Sequence, residues 1–423
     1  MLSRQASSRG PGSRNGSMML TSGEGMDSGM YERNSQDYDN LLELLRQPTA
    51  PFREQAVRDA VAARLAASGV PWFEDADGNL VIGHADPSAW RRRLERRQRE
   101  PVRLFIAHMD HPGFHGMRWQ SRDRLEVRWH GGSPTRHLRG AEVWLAISGR
   151  ECGAGTLVGA SVASHGHGLE RAVIRIRELV TGRRPAARRL YGGFRFRAAA
   201  WRRGTRLHAR VLDDLVGVHA VIETACTLWE GHHAGRRHFT GLLTRAEEVG
   251  FVGAVAHLRR MRTSLRRGNV VCISLEASRT LPGADVGRGV VIRLGDRRTL
   301  FDTRATRVLE QVADACLERP AQRRVMDGGS CEATAAAAWG LPVVGLTLPL
   351  GNYHNQCLDG GEGCGHRGGV APEYIDLRDL ADYRRLCLGL MTPGLPWSDP
   401  WQDVRDRLTA NLERYHRLLE VER

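Results

Sequence analysis

Thr240 to Ala256 reads TGLLTRAEEVGFVGAVA: an apolar strand (Leu242, Leu243) runs into two adjacent carboxylates, Glu247 and Glu248, then through Gly250 and Gly253 into an apolar helix. Two acids side by side at a strand's end repel each other and are costly to bury unless a cation or a shared proton compensates. The pair therefore points to a metal site, in which one carboxylate ligates an ion and its neighbour handles the proton of the attacking water. A solvated Glu-Glu pair on a loop is the plainer reading, and the dipeptide alone does not separate the two.

The neighbouring apolar runs separate them. Val102 to Ala107 has strand length and ends in His108, Met109, Asp110. Residues two apart share one side of the pleat, so the imidazole can face a metal while the carboxylate steadies the site; a core histidine bonded to an acid is the alternative. His111 and His115 follow on a loop as weaker ligand candidates. Asp213 and Asp214 precede an apolar helix (Val216, Ala220, Ile222, Ala225, Trp229), where one acid would cap the amino terminus. In the sharper reading Asp213 bridges a pair of ions. Val270 to Leu275 is a further strand ending in Glu276, and Leu341 to Leu350 is another, followed at once by Gly351, Asn352, Tyr353 and His354. Every marked acid or histidine lies at the carboxyl end of a strand or at the start of the next helix, the edge at which open α/β sheets bind ligands.

Composition narrows the partners. The chain has 423 residues, enough for two domains or for one with a large insertion, and a formal net charge of +14. It contains no lysine. Its arginines are scattered among alanine and glycine, as a GC-rich coding bias produces, and no aromatic residues interleave with them to stack bases. Nucleic acid is therefore not expected as a partner. The eight cysteines are dispersed without a CxxC pair, which predicts reduced, mostly buried thiols in a cytoplasmic protein. No apolar run is long enough to span a bilayer, so no membrane association is expected.

Along the chain, Met1 to about Ser35 is polar, rich in Gly and Ser, and predicted to be disordered, with Met18, Met26 and Met30 as alternative starts. A helical period begins at Asp37, and Asp77-Gly78 marks a hairpin within Pro71 to Gly83. Between His115 and His208 short β stretches (Leu125 to Trp129, Val143 to Ile147, Thr156 to Val162, Ala172 to Ile176) alternate with Gly, Ser and Pro clusters, predicting an inserted sandwich or small barrel without a catalytic constellation. The expected division is a tail over 1–36, a catalytic domain over 37–114 and 209–423, and an inserted β-rich domain over 115–208.

The ordered set HMD, LDDLVG, EEVGFVGA, SLEAS and GNYHN resembles the M42 co-catalytic metallo-aminopeptidases, relatives of the M28 and M20 zinc peptidases, from about Tyr38 to Leu390. The resemblance implies a mixed-sheet α/β zinc-peptidase fold of the aminopeptidase/phosphorylase kind, an inserted domain that serves homo-oligomerisation, and two divalent ions, zinc or else cobalt or manganese. By position, His108 and Glu276 would hold one ion, Glu248 and His354 the other, with Asp213 between them. Glu247 would be the general base, and Asp110 would orient the site.

Four departures stand out against that pattern. Leu215 replaces an arginine after the paired acids, Glu276 replaces an aspartate, GGSCEA (with Cys331 and Glu332) replaces GGTDA, and Asn352-Tyr353 replaces Arg-Tyr. After His354 the insertion NQCLDGGEGCGHRGG brings Cys357, Cys364 and His366 together, as a Gly-rich loop or a separate metal clip. The activity implied is removal of N-terminal residues from short peptides. The alternatives are a metal-dependent deacylase or amidohydrolase of N-acylated amino acids, and a catalytically silent scaffold of the same fold.

Overall fold

The computed structural model describes residues 27–420 apart from 182 and 359. Of the tail expected to be disordered over 1–36, residues 1–26 lie outside the described residues, whereas 27–36 are helical, so the helix starts ten residues before the expected Asp37. Helix α1 runs Asp27–Arg46. Contacts divide the chain into two compact units after Asn40, the larger of which begins at Leu41 and holds every other element.

Helix α2 (Gln55–Ala67) buries Val57, Val61 and Leu65, and leads into the hairpin β1 (Trp72–Glu74) and β2 (Leu80–Ile82) turned at Asp77-Gly78. Helix α3 (Pro87–Glu95) starts on an Asp86 cap with proline in its first turn, which the missing proline N–H permits. Strand β3 (Val102–His108) follows and is buried throughout. Six strands then form a closed barrel: β4 (Gly113–Trp119), β5 (Arg124–His130), β6 (Glu142–Ile147), β7 (Arg150–Val162), β8 (Leu169–Leu179) and β9 (Tyr191–Phe194). Period-two residues such as Leu125, Val127 and Trp129 fill its interior.

Strands β10 (Ala200–Arg203) and β11 (Arg206–Ala209) lead back to α4 (Leu215–Glu230), β12 (Phe239–Thr244), α5 (Val252–Arg267) and β13 (Val270–Arg279). The remainder is β14 (Val291–Asp296), α6 (Thr303–Cys316), β15 (Gln322–Met326), α7 (Glu332–Ala338), β16 (Val343–Leu350), β17 (Glu373–Asp376), α8 (Leu377–Gly389) and α9 (Gln402–Glu420).

The main sheet has the order β1-β2-β12-β3-β13-β16-β14-β15. Its middle four strands, β12, β3, β13 and β16, are parallel, while β2 and β14 join them antiparallel, so the sheet is mixed. Parallel strands covered on both faces need continuous apolar runs, which is what VRLFIA and VVGLTL supply. Leu104 and Ile106 face Trp90, Leu258 and the alanines of α7, whereas Phe105 stacks on Phe239 on the other face. Gly345 on β16 leaves room for Arg293 on β14, since a Cβ there would meet the Phe301 ring at 2.6 Å and Arg293 Cβ at 3.0 Å.

Register sets the site. Thr244 lies beside His108, and Ser274 beside Ile106, so Glu276 stands level with His108 at the same sheet edge. Strand β13 runs on to Arg279 rather than stopping at Leu275, because it pairs with β16 as far as Leu350. Glu276 therefore sits within a strand and not at its end.

Candidate metal centre

His108 closes β3 and is 1% exposed. Its Nδ1–H donates to the Asp110 carbonyl at 3.2 Å, which turns Nε2 toward Asp213 Oδ1 at 3.4 Å and Glu247 Oε2 at 3.9 Å. The Asp110 carboxylate accepts the backbone N–H of Glu247 (2.9 Å) and of Glu248 (3.2 Å), so one buried acid fixes the loop that carries the other two. That loop turns sharply, with Ala246 (φ 53°) and Phe251 (φ 59°) left-handed around a short 3₁₀ turn. Glu54 braces it from beneath by accepting Ala246 N–H at 3.1 Å and pairing with Arg245 at 2.8 Å.

Asp214 caps α4 by accepting Gly217 N–H at 3.2 Å, which leaves Asp213 free to face the centre. Asp213 Oδ1 approaches His108, and Oδ2 lies 3.4 Å from His354 Nε2. His354 Nε2 is also 3.0 Å from Glu248 Oε1. His354 reaches inward because Asn352, His354 and Asn355 all adopt left-handed backbone (φ 54°, 55° and 57°) directly after β16. Its ring stacks on Tyr353 with centroids 3.7 Å apart.

Burial and charge act against one another here. Burial lifts the carboxyls of Glu247 (well above its ordinary range) and Glu248, and pushes that of Glu276 up to about 8. Burial would raise Asp213 as well, but the two imidazoles hold it below its ordinary value. His354 is pushed up to about 10, since Glu248 and Asp213 outweigh its burial. Ligand atoms of His108, Asp213 and Glu276 all lie within 4.8 Å of one another, as do those of Asp213, Glu248 and His354. Two triplets thus share Asp213. Asp213 Oδ1, Glu248 Oε1, Glu276 Oε1 and His354 Nε2 are buried and, despite charged neighbours, none is aligned in a hydrogen bond.

The other marked residues go elsewhere. His111 donates Nδ1–H to the Asp213 carbonyl at 2.8 Å and belongs to neither triplet. His115 points out of β4 to the Pro51 carbonyl at 2.8 Å. Cys357 and Cys364 form a disulfide, which corrects the expectation of reduced thiols at that pair and leaves no thiolates for a metal clip. The six remaining cysteines are free. Glu332 is fully buried against the Thr244 hydroxyl, and burial pushes its carboxyl up to about 7.

Two contributors had no signal in the sequence. Glu373, at the start of β17, accepts N–H groups from Leu212 (2.6 Å), Asp213 (3.3 Å) and His354 (2.9 Å). The barrel also reaches the site. A cavity of about 430 Å³ opens over His108, Asp213, Glu247 and Glu276, and the barrel residues Gly132, Ser133 and His167 form part of its wall, facing Arg279, Arg293 and Arg297.

A family model described as M42 glutamyl aminopeptidase matches residues 192–358. No curated protein sequence matches the chain. Among solved structures, an aminopeptidase from the archaeon Desulfurococcus kamchatkensis superposes with a TM-score of 0.66 at 19% identity, over 86% of this chain and 97% of that one. A TET aminopeptidase from a marine sediment Thaumarchaeota archaeon gives 0.65 at 16% identity, over 86% and 97%. The Pyrococcus horikoshii TET1 peptidase, described as assembling into a tetrahedron or a large octahedral shell, gives 0.63 at 20% identity, over 84% and 99%. At these identities the likeness is one of fold. The family model, for its part, covers the stretch that holds Asp213, Glu247, Glu248, Glu276 and His354, so over those residues the chain is similar to the M42 peptidases.

Proposed function

We propose that this chain is a dinuclear metal-dependent aminopeptidase that removes N-terminal residues from short peptides. The observation that carries the reading is the placement of Asp213, with one carboxylate oxygen turned to His108 and the other to His354. The residues fit a pair of cations: buried acids crowd one space, and several of their oxygens lack an aligned donor. His108 and Glu276 would hold one ion, Glu248 and His354 the other, and Asp213 would lie between. Carboxylate oxygens and imidazole nitrogens without thiolate suit zinc, with cobalt or manganese as alternatives. When bound, such ions polarise the scissile carbonyl and acidify the attacking water.

The protein's own groups do the rest. Glu247 belongs to neither triplet that shares Asp213, although its carboxylate also lies within reach of His108 and Glu248; in this reading neither ion needs it as a ligand, and it takes the proton of the attacking water and delivers it to the leaving amine nitrogen. Asp110 keeps Glu247 and Glu248 at fixed height through their backbone N–H groups. Arg279 and Arg297 line the cavity and make no ion pair among the described residues, which favours a substrate bearing a carboxylate near its amino terminus. The same two arginines support the second reading, a deacylase that grips the carboxylate of an N-acylated amino acid.

Self-association fits the assemblies named for the TET1 peptidase, and the six free thiols fit a cytoplasmic setting. The deciding experiment is turnover of free N-terminal aminoacyl amides, acidic residues among them, beside their N-acetylated counterparts, on enzyme reloaded with each metal. Metal-dependent cleavage of the free amines alone is expected. Cleavage of the acylated set alone would move the function to a deacylase.

A further inference from the structure

Each side of the centre is held by a buried carboxylate that is not itself in either triplet. Asp110 serves Glu247 and Glu248. On the opposite side the corresponding part falls to Glu373, which is 0% exposed. Its Oε2 accepts N–H from Leu212 and Asp213, and its Oε1 accepts N–H from His354 at 2.9 Å. One carboxylate thereby ties together two segments that are remote in sequence, the one ending in the shared Asp213 and the one carrying His354. Pairing of Glu373 with Ala209 on β11 places the carboxylate just beyond that strand's end, where Leu212 and Asp213 begin. His111 completes the arrangement: its Nδ1–H holds the Asp213 carbonyl, its Nε2 lies 3.8 Å from Glu373 Oε1, and its ring meets His354 edge-on with centroids 6.1 Å apart.

We propose that Glu373, seconded by His111, is a positioning residue that sets the His354 side of the centre and so governs occupancy of the second ion. The proposal rests on the dinuclear reading of the site. Asp213 has further support from the adjoining Asp214 cap and from His111, whereas the backbone N–H of left-handed His354 has Glu373 as its acceptor. Loss of Glu373 therefore falls mainly on the ion shared by Glu248 and His354. Glutamine keeps the volume but offers one acceptor oxygen, and its NH₂ would face an N–H donor on one side or the other.

The test is a cobalt(II) titration of the metal-stripped full-length protein, read by visible absorption and by equilibrium dialysis, with the thermal midpoint of the metal-free protein measured alongside. Wild type is expected to take up two ions. Glu373→Gln should retain the first within about twofold and bind the second about 10 to 100 times more weakly, the usual cost of removing a partner behind a ligand. Glu373→Asp should recover part of that loss, and His111→Phe should weaken the same ion to a smaller degree. Two unchanged affinities in Glu373→Gln would overturn the proposal. Equal weakening of both ions with a lowered midpoint would also overturn it, by showing a merely structural role. A variant that did not fold would leave His111→Phe to decide between the same outcomes. Fewer than two ions in wild type would instead count against the dinuclear reading.

Discussion

Gly132→Ala is the substitution that most directly tests whether the barrel shapes the catalytic side. A Cβ at this position would lie 2.4 Å from His354 Nδ1 and 3.1 Å from its Cε1, while ordinary contact begins at 3.4 Å, so about 1 Å of space is missing. The imidazole has little freedom to yield. Tyr353 stacks on its face and Nε2 is directed at Glu248 and Asp213. The adjoining Gly131 is packed as well, since a Cβ there would be 3.2 Å from Glu248 Cβ. A misplacement of about 1 Å at a reacting centre costs on the order of 100-fold in rate, or about 2.7 kcal/mol of activation free energy. The assay is kcat/KM on the preferred aminoacyl amide, with the thermal midpoint as a check on folding. Gly159→Ala serves as control, because nothing lies within 4 Å of its added Cβ. A folded Gly132→Ala enzyme with wild-type kcat/KM would refute the reasoning, showing that the barrel loop yields and the imidazole does not depend on it.

Glu247→Gln should retain the wild-type metal content and lose about 10² to 10⁴ in kcat, since only the proton carrier is removed; loss of metal in that variant would assign Glu247 a ligand's part instead. Asp75 accepts from His257 Nδ1 and from the Asn79 side chain, both at 2.9 Å, and although burial alone would raise its carboxyl, these partners hold it below its ordinary value of 3.8. The ionised form therefore stabilises the fold above that pH, and its contribution fades as pH falls through the depressed value. Asp75→Asn should cost about 1–3 kcal/mol at neutral pH, with the gap to wild type closing in acid; denaturant melts at pH 7 and pH 3 would show an unchanged gap if ionisation were not the cause. Trp90 is 0% exposed between α3 and the sheet, so Trp90→Ala should lose about 3–5 kcal/mol by chemical denaturation, and a loss under 1 kcal/mol would mean that the site collapses around the missing ring.

The sheet's middle was legible because physics leaves little choice there. Runs such as Val102 to Ala107 are too apolar for a surface, and the acids and histidines at their ends declared the edge where the groups now meet. Asp77-Gly78 and the Asp214 cap were readable as local chemistry. What escaped was non-local. Strands β14 and β15 carry Arg293, Arg323 and Arg324 and a shift in register between Arg293 and Gly295, which conceal any alternation. Arg293 is 2% exposed within the sheet because Gly345 makes way for it, a relation no window of sequence contains. Glu373 sits in a four-residue strand, and its partners lie far upstream at Leu212 and Asp213. Gly131 and Gly132 offer no side chain at all, so their packing against Glu248 and His354 had nothing to announce it. Six residues, three of them glycine, separate Cys357 from Cys364, a spacing equally compatible with a free loop, a clip or a bridge.

Two covalent connections join the barrel to the rest of the chain. The short one leaves β3 through His108, Asp110 and His111 and enters β4 at Gly113; the longer one leaves β9 at Phe194 and passes through the β10–β11 hairpin before it reaches Asp213. Between them the Gly131–Gly132 turn bears on Glu248 and His354. The barrel is thus a lever whose short hinge and one point of contact both fall on the candidate centre. A load on its outer wall would be delivered there through that link and that turn with little intervening chain to absorb it, and the rate of turnover would serve as the gauge of that load.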